Sequence, residues 1–287
     1  QYAGQTLAQI FPKFAHHPRA KALRFSEPKV ELLARQAQIV FLALPHGVAA
    51  EFAVPLLQLG CQVIDLSADF RLKDLSAYRK WYGVEHSQPA KLAEFVYGNV
   101  ELHRQEMKQA RYISGAGCNA TATILGLWPL FKLGVVDTSL PVVAEAKCGS
   151  SEGGASVSEG SHHPERSGCV RSYKPTGHRH IAEMEQELGH TVYFSATSIE
   201  MVRGILVTAH LFVKEGITEK DIWKTYREVY GKEPFIRIVK EKQGIYRFPE
   251  PKILAGTNYC DIGFELEEKR LVVVSAIDNL MKGAAGQ

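Results

Sequence analysis

The sequence lacks the features that mark membrane, secreted and nucleic-acid-binding proteins. Its apolar runs, such as Ile39–Leu44, are far shorter than the roughly 20 residues that a membrane-spanning helix needs. The first residues do not show the charged-then-apolar pattern of a secretory signal peptide. Charges nearly balance, with 34 Lys and Arg against 31 Asp and Glu. We therefore expect no membrane and no nucleic acid among the partners.

Cysteine is scarce and unpaired in the sequence. There are five cysteines in 287 residues, and none forms a C-x-x-C pair. An odd count without paired spacing argues against a disulfide framework and for a reducing compartment. Hydrophobic residues make up 45% of the chain, and domains average about 150 residues, so we expect two globular domains. These features indicate a soluble, cytoplasmic enzyme.

The first half alternates strand and helix patterns. Three short apolar runs predict buried parallel strands, and Val48–Leu59 between the first two has helical spacing that ends at Gly60. The runs are 38–44, 62–66 and 111–114. This order predicts an α/β fold with a Rossmann-type, doubly wound sheet, whose ligands bind beyond the carboxyl ends of the strands.

The second half has more strands than helices. After a predicted helix at 119–132 come a long Gly-, Ser- and His-rich segment at 149–180 and a helix at 218–230. Strand patterns occur at 191–196, 204–213, 235–239 and 271–275. We expect an α+β domain built on a largely antiparallel sheet.

The beginning of the sequence does not show the first strand of a dinucleotide fold. Tyr2-Ala3-Gly4 is followed at once by a short helical pattern at 6–11. No strand pattern occurs between Phe11 and Arg24, where a second strand is expected. We therefore expect the sequence to lack the first strand, the opening glycines and the region around that second strand.

The strongest candidate for chemistry is Cys118. A predicted strand ends at Ser114, two glycines follow, and the cysteine opens a helix. The positive end of a helix favours a thiolate, which is the nucleophilic form. The alternative is an inert, buried cysteine at the start of a helix. The other four cysteines lie in ordinary apolar segments and are expected in the core.

A cysteine nucleophile needs a proton acceptor or donor, and Gly177-His178-Arg179-His180 is the best candidate. In an extended backbone His178 and His180 would share one side, with Arg179 on the other, whereas in a helix they would diverge. One histidine could move a proton and Arg179 could hold an anion. The alternative is a surface loop with ordinary histidines.

Cations cluster in the same segment. Arg166, Arg171 and Lys174 lie near His162 and His163. They indicate an anionic substrate or an acidic partner. A zinc site is the competing interpretation, but these residues do not have the spacing of a known zinc motif, so we expect no metal.

Arg71 follows the second predicted strand in the run 65–74. Its guanidinium could clamp a phosphate through two hydrogen bonds. From spacing alone it could equally brace the turn through Asp65, Asp69 or Asp74.

Several motifs together resemble the N-acetyl-glutamyl-phosphate reductase family. They span most of the chain in the family's order and are LPHG at 44–47, DLSADFRL at 65–72, GCNAT at 117–121, GHRH at 177–180 and DNLMKGAAGQ at 278–287. Asn119 after the cysteine, SHHPER at 161–166 and YKPT at 173–176 resemble one branch of the family. That branch acts on aminoadipyl or glutamyl phosphates linked to a small acidic amino-group carrier protein, in lysine and arginine biosynthesis.

The resemblance implies an NADP-dependent reductase with a fold like that of glyceraldehyde-3-phosphate dehydrogenase. Residues 1–117 would bind NADP, with 277–287 returning to that domain, and 118–276 would carry catalysis and assembly into a dimer or tetramer. Cys118 would form a thioester, and His178 rather than His180 would transfer the proton. The implied substrate or phosphate contacts are Arg71, Asn119, Arg166 and Arg179. The implied cofactor contacts are Gln1, Tyr2, Ala3, Pro45, His46, Gly47 and Asn279.

Three alternatives stay open at this point. The first is a reductase of arginine biosynthesis that acts on the free acetylated substrate. The second is a zinc hydrolase that uses the histidine-rich segment. The third is a non-catalytic dinucleotide sensor, because a dinucleotide-binding scaffold hosts many functions.

Overall fold

The computed structural model describes residues 2–154 and 156–287. The first half forms a parallel sheet of four strands, β1 (Ile39–Leu42), β2 (Gln62–Asp65), β3 (Val96–Gly98) and β4 (Tyr112–Gly115). Their order is β1-β2-β4-β3. The helices of this half are α1 (Leu7–Ile10), α2 (Pro18–Ala22), α3 (Val30–Gln36), α4 (Ala49–Gln58), α5 (Leu75–Tyr82) and α6 (Val100–Gln109).

Helix α4 covers one face of the parallel sheet. Its buried face includes Ala49, Ala53 and Leu56, which belong to one apolar cluster with Val40 of β1 and Val63 of β2. Because parallel strands end at a common edge, the turns after β1, β2 and β4 come together. That edge is where the candidate site lies.

The second half forms a mixed sheet of seven strands with the order β6-β7-β5-β8-β11-β10-β9. The strands are β5 (Val142–Cys148), β6 (Val170–Lys174), β7 (Val192–Ile199), β8 (Ile205–Phe212), β9 (Ile236–Ile238), β10 (Cys260–Glu267) and β11 (Arg270–Ile277). The helices are α7 (Cys118–Lys132), α8 (His163–Arg166), α9 (His180–Leu188), α10 (Glu219–Tyr230) and α11 (Pro251–Leu254). Four of the six strand pairs are antiparallel.

Helix α7 lies at the centre of the molecule. Most of its residues are buried, which is typical of a helix enclosed on all sides. The hydroxyls of Tyr226 and Tyr230 on α10 donate to the carbonyls of Gly126 and Leu125 on α7. The buried Ser275 hydroxyl on β11 donates to the carbonyl of Ala122. These bonds fix α7 against α10 and the seven-stranded sheet. The first turn of α7 faces the edge of the parallel sheet.

The structure confirms the expected α/β half with a second, largely antiparallel α+β half. Among the residues described before β1, the chain is helical or irregular, with only an isolated bridge between Thr6 and Arg24. The 149–180 segment differs from the predicted loop, because it contains α8 and the edge strand β6. β6 was missed because it is exposed on both faces and shows no apolar alternation. In the described part of the chain, no helix is long and apolar enough to span a bilayer.

Candidate active site

A cavity of about 790 Å³ lies where the two halves meet. The parallel half contributes Arg71, Leu66 and Trp81 to its wall. The β4–α7 turn, Gly115–Cys118, forms the floor beside them. The remaining wall comes from the second half and from the segment after β11, and includes Glu152, Arg166, Arg171, Tyr173, Lys174, His178, Arg179, His180, Asn279 and Gly283.

Cys118 is the first residue of α7 and faces this cavity, as the sequence predicts. The prediction that the helix end favours a thiolate is not met by the surroundings of the sulfur. Burial raises the pKa of Cys118 to about 12, and the negative charge of Glu152 adds to the effect. Arg71 and the Asn119 N–H act in the opposite direction. Desolvation therefore outweighs the helix end, and the thiol form prevails at neutral pH.

A buried carboxylate, Glu183, connects the segments around Cys118. Its Oε2 accepts hydrogen bonds from the Gly117 N–H and the Tyr97 hydroxyl, both at 2.8 Å. Its Oε1 pairs with Arg71 at 3.2 Å and lies 3.9 Å from Nε2 of His180. The Glu183 side chain is fully buried. One carboxylate thus holds the turn before Cys118, a strand end and the arginine in place.

Arg71 does not pair with any of the three aspartates considered from spacing. Its Nε donates to the Gly115 carbonyl at 2.8 Å, and its Nη2 donates to the Leu66 carbonyl. Its Nη1 pairs with Glu183. Asp65 and Asp74 instead accept from the serines two residues later. The guanidinium lies on the cavity wall, and its phosphate contact stays a prediction.

The two predicted histidines lie side by side. The ring centroids of His178 and His180 are 4.6 Å apart, and both rings are buried. Helix α9 begins at His180, but the predicted divergence does not occur because His178 precedes the first turn. The His180 N–H donates to Nδ1 of His178 at 3.1 Å, so a neutral His178 carries its proton on Nε2.

Both histidines are held neutral. Burial, together with the smaller effects of the Arg179 and Lys174 charges, lowers the pKa of His178 to about 4. Burial also lowers the pKa of His180 well below its usual value. Nδ1 of His180 is buried without a hydrogen-bond partner among the described residues. Both imidazoles are therefore neutral at neutral pH, but the low pKa of His178 also makes it a weak proton acceptor, and the negative charge of a bound phosphate would raise that pKa.

A second carboxylate, Glu152, lines the same cavity as Cys118. Its Oε1 accepts a short hydrogen bond from Nδ2 of Asn119, and its Oε2 accepts from the Tyr173 hydroxyl at 3.1 Å. Asn119 itself is fully buried, and its Oδ1 accepts from the Cys148 thiol. The side chain of Asn119 therefore does not reach the cavity wall, where a substrate contact was predicted; it holds Glu152 instead.

The predicted cations do converge on the cavity. Arg166, Arg171, Lys174 and Arg179 all line it. The Arg166 Nη2 donates to the Cys148 carbonyl at 2.7 Å, whereas Arg171 lies beside Glu165. Residues 2–154 and 156–287 bring no three His, Cys, Asp or Glu side chains into a metal-binding cluster.

The predicted cofactor residues lie in three different places. Pro45, His46 and Gly47 follow β1, and the Ala68 N–H and Asp69 carboxylate hold this turn against the end of β2. Asn279 lies on the cavity wall.

The remaining predicted cofactor residues lie at the beginning of the chain. Tyr2 and Ala3 are exposed and do not line the cavity, and Tyr2 packs against Phe25 instead. Gln1 lies outside the described residues.

Sequence reasoning missed Glu183 and Glu152 as site residues. Glu183 follows His180 by three residues, so one helical turn places both on the same face, and this spacing was a usable signal. Glu152 lies in a short 3₁₀ helix after β5 with no comparable pattern. Only the fold brings it next to Asn119 and Tyr173.

Comparison with known proteins agrees with this arrangement. Residues 118–279 match the family described as "Semialdehyde dehydrogenase, dimerisation domain", and residues 1–110 match "Semialdehyde dehydrogenase, NAD binding domain". The chain belongs to the semialdehyde dehydrogenase family. It is therefore an oxidoreductase with an NAD(P)-binding domain.

Curated relatives indicate which branch of the family this chain resembles. A protein of Thermomicrobium roseum named "Putative [LysW]-L-2-aminoadipate 6-phosphate reductase" is 55% identical over 96% of this chain and 82% of its own length. The "[LysW]-L-2-aminoadipate/[LysW]-L-glutamate phosphate reductase" of Saccharolobus solfataricus is 44% identical over 100% of this chain and 82% of its own length. The predicted resemblance to the carrier-linked branch is confirmed.

Solved structures support the fold. Aspartate semialdehyde dehydrogenase with NADP from Candida albicans aligns with a TM-score of 0.66 at 14% identity, over 99% of this chain and 86% of its own. Aspartate semialdehyde dehydrogenase II from Vibrio cholerae, complexed with ASA, gives 0.67 at 12% identity, over 92% and 80%. At these identities the likeness concerns the fold alone.

Proposed function

We propose that the protein reduces a carrier-linked acyl phosphate, 2-aminoadipate 6-phosphate or glutamate 5-phosphate, to the semialdehyde with NADPH. The observation that carries the proposal is Cys118 at the start of α7, in a cavity with two neutral histidines and several cations. The names of the curated relatives supply the substrate class. A thiol, a proton acceptor and an anion-binding wall are the groups that acyl transfer from a phosphate requires.

In the proposed reaction the Cys118 thiol gives its proton to a neutral histidine, for which we favour His178. The sulfur attacks the acyl carbon, the bond from that carbon to the phosphate oxygen breaks, and phosphate leaves. A thioester remains on Cys118. A pKa of about 12 for Cys118 means that the thiolate forms only as the proton is transferred, so the histidine is needed for this step.

The second stage regenerates the thiol. NADPH supplies hydride when bound. As the carbon–sulfur bond of the thiohemiacetal anion breaks, the semialdehyde leaves and the protonated histidine returns its proton to the Cys118 sulfur. The Gly117 N–H is already bound by Glu183, so we assign stabilisation of the developing oxyanion to other N–H groups at the start of α7.

The residues at the sheet edge fit a dinucleotide. The turn at Pro45–Gly47 lies at the carboxyl end of β1, where such sheets bind their cofactors. Beside it the Tyr82 hydroxyl is buried without a partner among the described residues, and the ring of Tyr82 lies 5.8 Å from that of His46. A donor left unpaired there suits an incoming polar ligand. We propose these residues and Asn279 as cofactor contacts, with residues 1–117 as the cofactor-binding domain.

The covalent step is tested by weighing the protein. Incubated with carrier-linked acyl phosphate but without NADPH, the wild type should gain the mass of the acyl group on Cys118. Cys118→Ser should lose activity by several orders of magnitude while keeping its fold. Normal turnover by a well-folded Cys118→Ser protein, or the absence of any thioester on the wild type, would refute the proposed nucleophile.

We further propose that the cations at the cavity mouth help to dock the acidic carrier. Arg166 and Arg171 lie on the same wall as Lys174 and Arg179. Reversing the charge of Arg166 and Arg171 should raise the KM for the carrier-linked substrate more than for a free acetylated one. Equal effects on both would remove the docking role.

We also propose a homo-oligomer. The outer face of the seven-stranded sheet exposes Val143, Tyr193 and Phe212, at 51%, 60% and 40%. The family match to a dimerisation domain covers these strands. Exposed apolar sheet surface of this kind is typical of a subunit interface. Tyr193→Glu should lower the molecular mass that light scattering reports. A wild-type protein that is already monomeric would contradict the proposal.

A further inference from the structure

The chain after β11 crosses back towards the parallel sheet, and we refer to Asp278–Gln287 as the return segment. It begins firmly attached to the second half. The Asp278 carboxylate accepts from the Gly256 N–H at 2.6 Å and pairs with Arg203 at 3.0 Å. The Asn279 side chain accepts from the Gly204 N–H and donates to Ser151.

The middle of the return segment touches the proposed nucleophile. A Cβ placed on Gly283 would lie 2.8 Å from Cβ of Cys118 and 3.1 Å from Cδ1 of Ile277. Real Cβ atoms do not approach that closely, so the segment is in direct contact with the first residue of α7. Any sideways shift of Gly283 therefore changes the space around the thiol.

The residue before Gly283 ties the segment to the other half of the molecule. Lys282 Nζ lies 2.5 Å from Oε1 of Glu101, and the two side chains are 0% and 1% exposed. Glu101 is in the first turn of α6, where a carboxylate also faces the positive end of the helix. The Phe235 ring lies 6.0 Å from the ammonium. The pair joins positions 181 residues apart in sequence.

A fully buried ion pair usually contributes little net stability to a protein. Removing both charges from water costs several kcal/mol, and apolar replacements of similar volume are often neutral or stabilising. In some proteins buried polar or charged groups instead fix the relative geometry of the elements that they join. Here the pair joins the first turn of α6 to the residue adjacent to the contact with Cys118.

We propose that Lys282 and Glu101 are a positioning pair that holds the return segment in register against Cys118. The pair fixes Lys282, Gly283 follows directly, and Asn279, in the turn before Met281, also lines the cavity. The proposal rests on the proposed role of Cys118. It adds that the cofactor half of the chain sets the position of the nucleophile through the return segment.

The test compares Lys282→Met with the double variant Glu101→Gln/Lys282→Met. The single variant leaves a buried unpaired carboxylate and should lower the Tm, whereas the double variant has no unpaired charge and should regain most of it. Both should lose kcat by about 10²-fold with a small change in KM, because a displacement of about 1 Å at a reacting group has such an effect. Arg79→Met, which breaks the exposed pair with Glu85, serves as the control and should change neither value.

A second readout needs no substrate. Below the Tm of every variant, the rate at which iodoacetamide labels Cys118, located by peptide mapping, should differ from wild type in both Lys282 variants. A double variant with wild-type kcat and labelling rate would show that the pair contributes stability only and would overturn the proposal. A wild-type enzyme that turns over no acyl phosphate would refute the proposed function instead, while the labelling comparison would still decide the role of the pair.

Discussion

Two carboxylates, Glu183 and Glu152, act on the pKa of Cys118, and their surroundings differ. Glu183 is fully buried, pairs with Arg71 and accepts from Gly117 and Tyr97. Glu152 lies on the cavity wall and accepts from the neutral Asn119 and Tyr173 side chains. The charge of Glu183 is therefore compensated by a cation in contact, whereas that of Glu152 is supported by neutral donors only.

The difference separates a structural role from an electrostatic one. A compensated carboxylate exerts little net field on its neighbours but becomes costly to disturb. An uncompensated one acts on nearby titrating groups, and Glu152 is the largest charge contribution to the raised pKa of Cys118, while Glu183 contributes less. The surroundings of the two carboxylates therefore respond differently to substitution, and only Glu152 lines the cavity itself.

The largest expected effect comes from removing the charge of Glu183, the carboxylate that is paired with a cation. Glu183→Gln keeps the shape but leaves Arg71 buried without its counter-charge, which costs about 3–5 kcal/mol in comparable buried pairs. The free energy of unfolding in urea measures this loss. Glu94→Gln, which breaks the part-exposed pair with Lys91, is the control and should cost at most about 1 kcal/mol. Equal losses for both variants would mean that burial does not distinguish the two pairs.

Asp65 sharpens the comparison, since it is a buried carboxylate without a cation in contact. Burial raises its pKa to about 6 from 3.8, although Ser67 donates to it twice. The folded state therefore favours the protonated acid, and the stability that Asp65 contributes is complete below about pH 4 and lost as the pH rises through 6. Asp65→Asn should raise the unfolding free energy above pH 6 by up to about 3 kcal/mol.

The chain offers a matched control for this prediction. Asp74 makes the same two bonds to Ser76 but is exposed, and these bonds lower its pKa. Asp74→Asn should therefore lower stability at neutral pH rather than raise it. A pH series of urea unfolding curves measures both. If Asp65→Asn and Asp74→Asn changed stability in the same direction at pH 7, burial would not be the cause.

Two glycines near the site, Gly117 and Gly177, differ in the space around them. A Cβ on Gly117 would lie 2.5 Å from Nε2 of His180 and 2.8 Å from Oε1 of Glu183, whereas a Cβ on Gly177 would meet nothing within 4 Å. Gly117→Ala should cost about 1–3 kcal/mol, as overpacking does in tight cores, and displace His180. Gly177→Ala should be nearly neutral. Thermal unfolding compares the two variants. An equal Tm would contradict tight packing of Gly117 against His180 and Glu183.

The sequence predicted the parts of the fold that local patterns determine. The apolar strands β1, β2 and β4 and the enclosed helix α7 each follow from a continuous or periodic run of residues. The strand–glycine–cysteine–helix order likewise located Cys118 at a sheet edge. What local patterns do not contain is pairing across the chain, such as Arg71 with Glu183 over 112 positions.

The same limit explains the errors in the predicted site. Spacing offered Asp65, Asp69 or Asp74 as partners of Arg71, as an equal alternative to a phosphate contact, yet α9 brings Glu183 to the guanidinium instead. The helix end at Cys118 predicted a thiolate, but a helix end is a local feature and desolvation depends on the whole enclosure. Asn119 was expected to contact substrate from its position beside Cys118, but the first turn of α7 directs it to Glu152.

The smallest expected effect concerns Glu152, the carboxylate without a cation in contact. Glu152→Gln keeps hydrogen-bond acceptance for Asn119 or Tyr173 but removes the negative charge, so the pKa of Cys118 should fall towards its ordinary value. Labelling by iodoacetamide from about pH 8 to about pH 10 should then speed up, with its profile displaced by roughly one pH unit, or about 1.4 kcal/mol. Glu159→Gln, an exposed glutamate of the same segment that does not line the cavity, should leave the profile unchanged. Because Glu183 is compensated, a folded Glu183 variant should displace the profile less than Glu152→Gln does; the reverse order would mean that the two carboxylates have been assigned to the wrong roles.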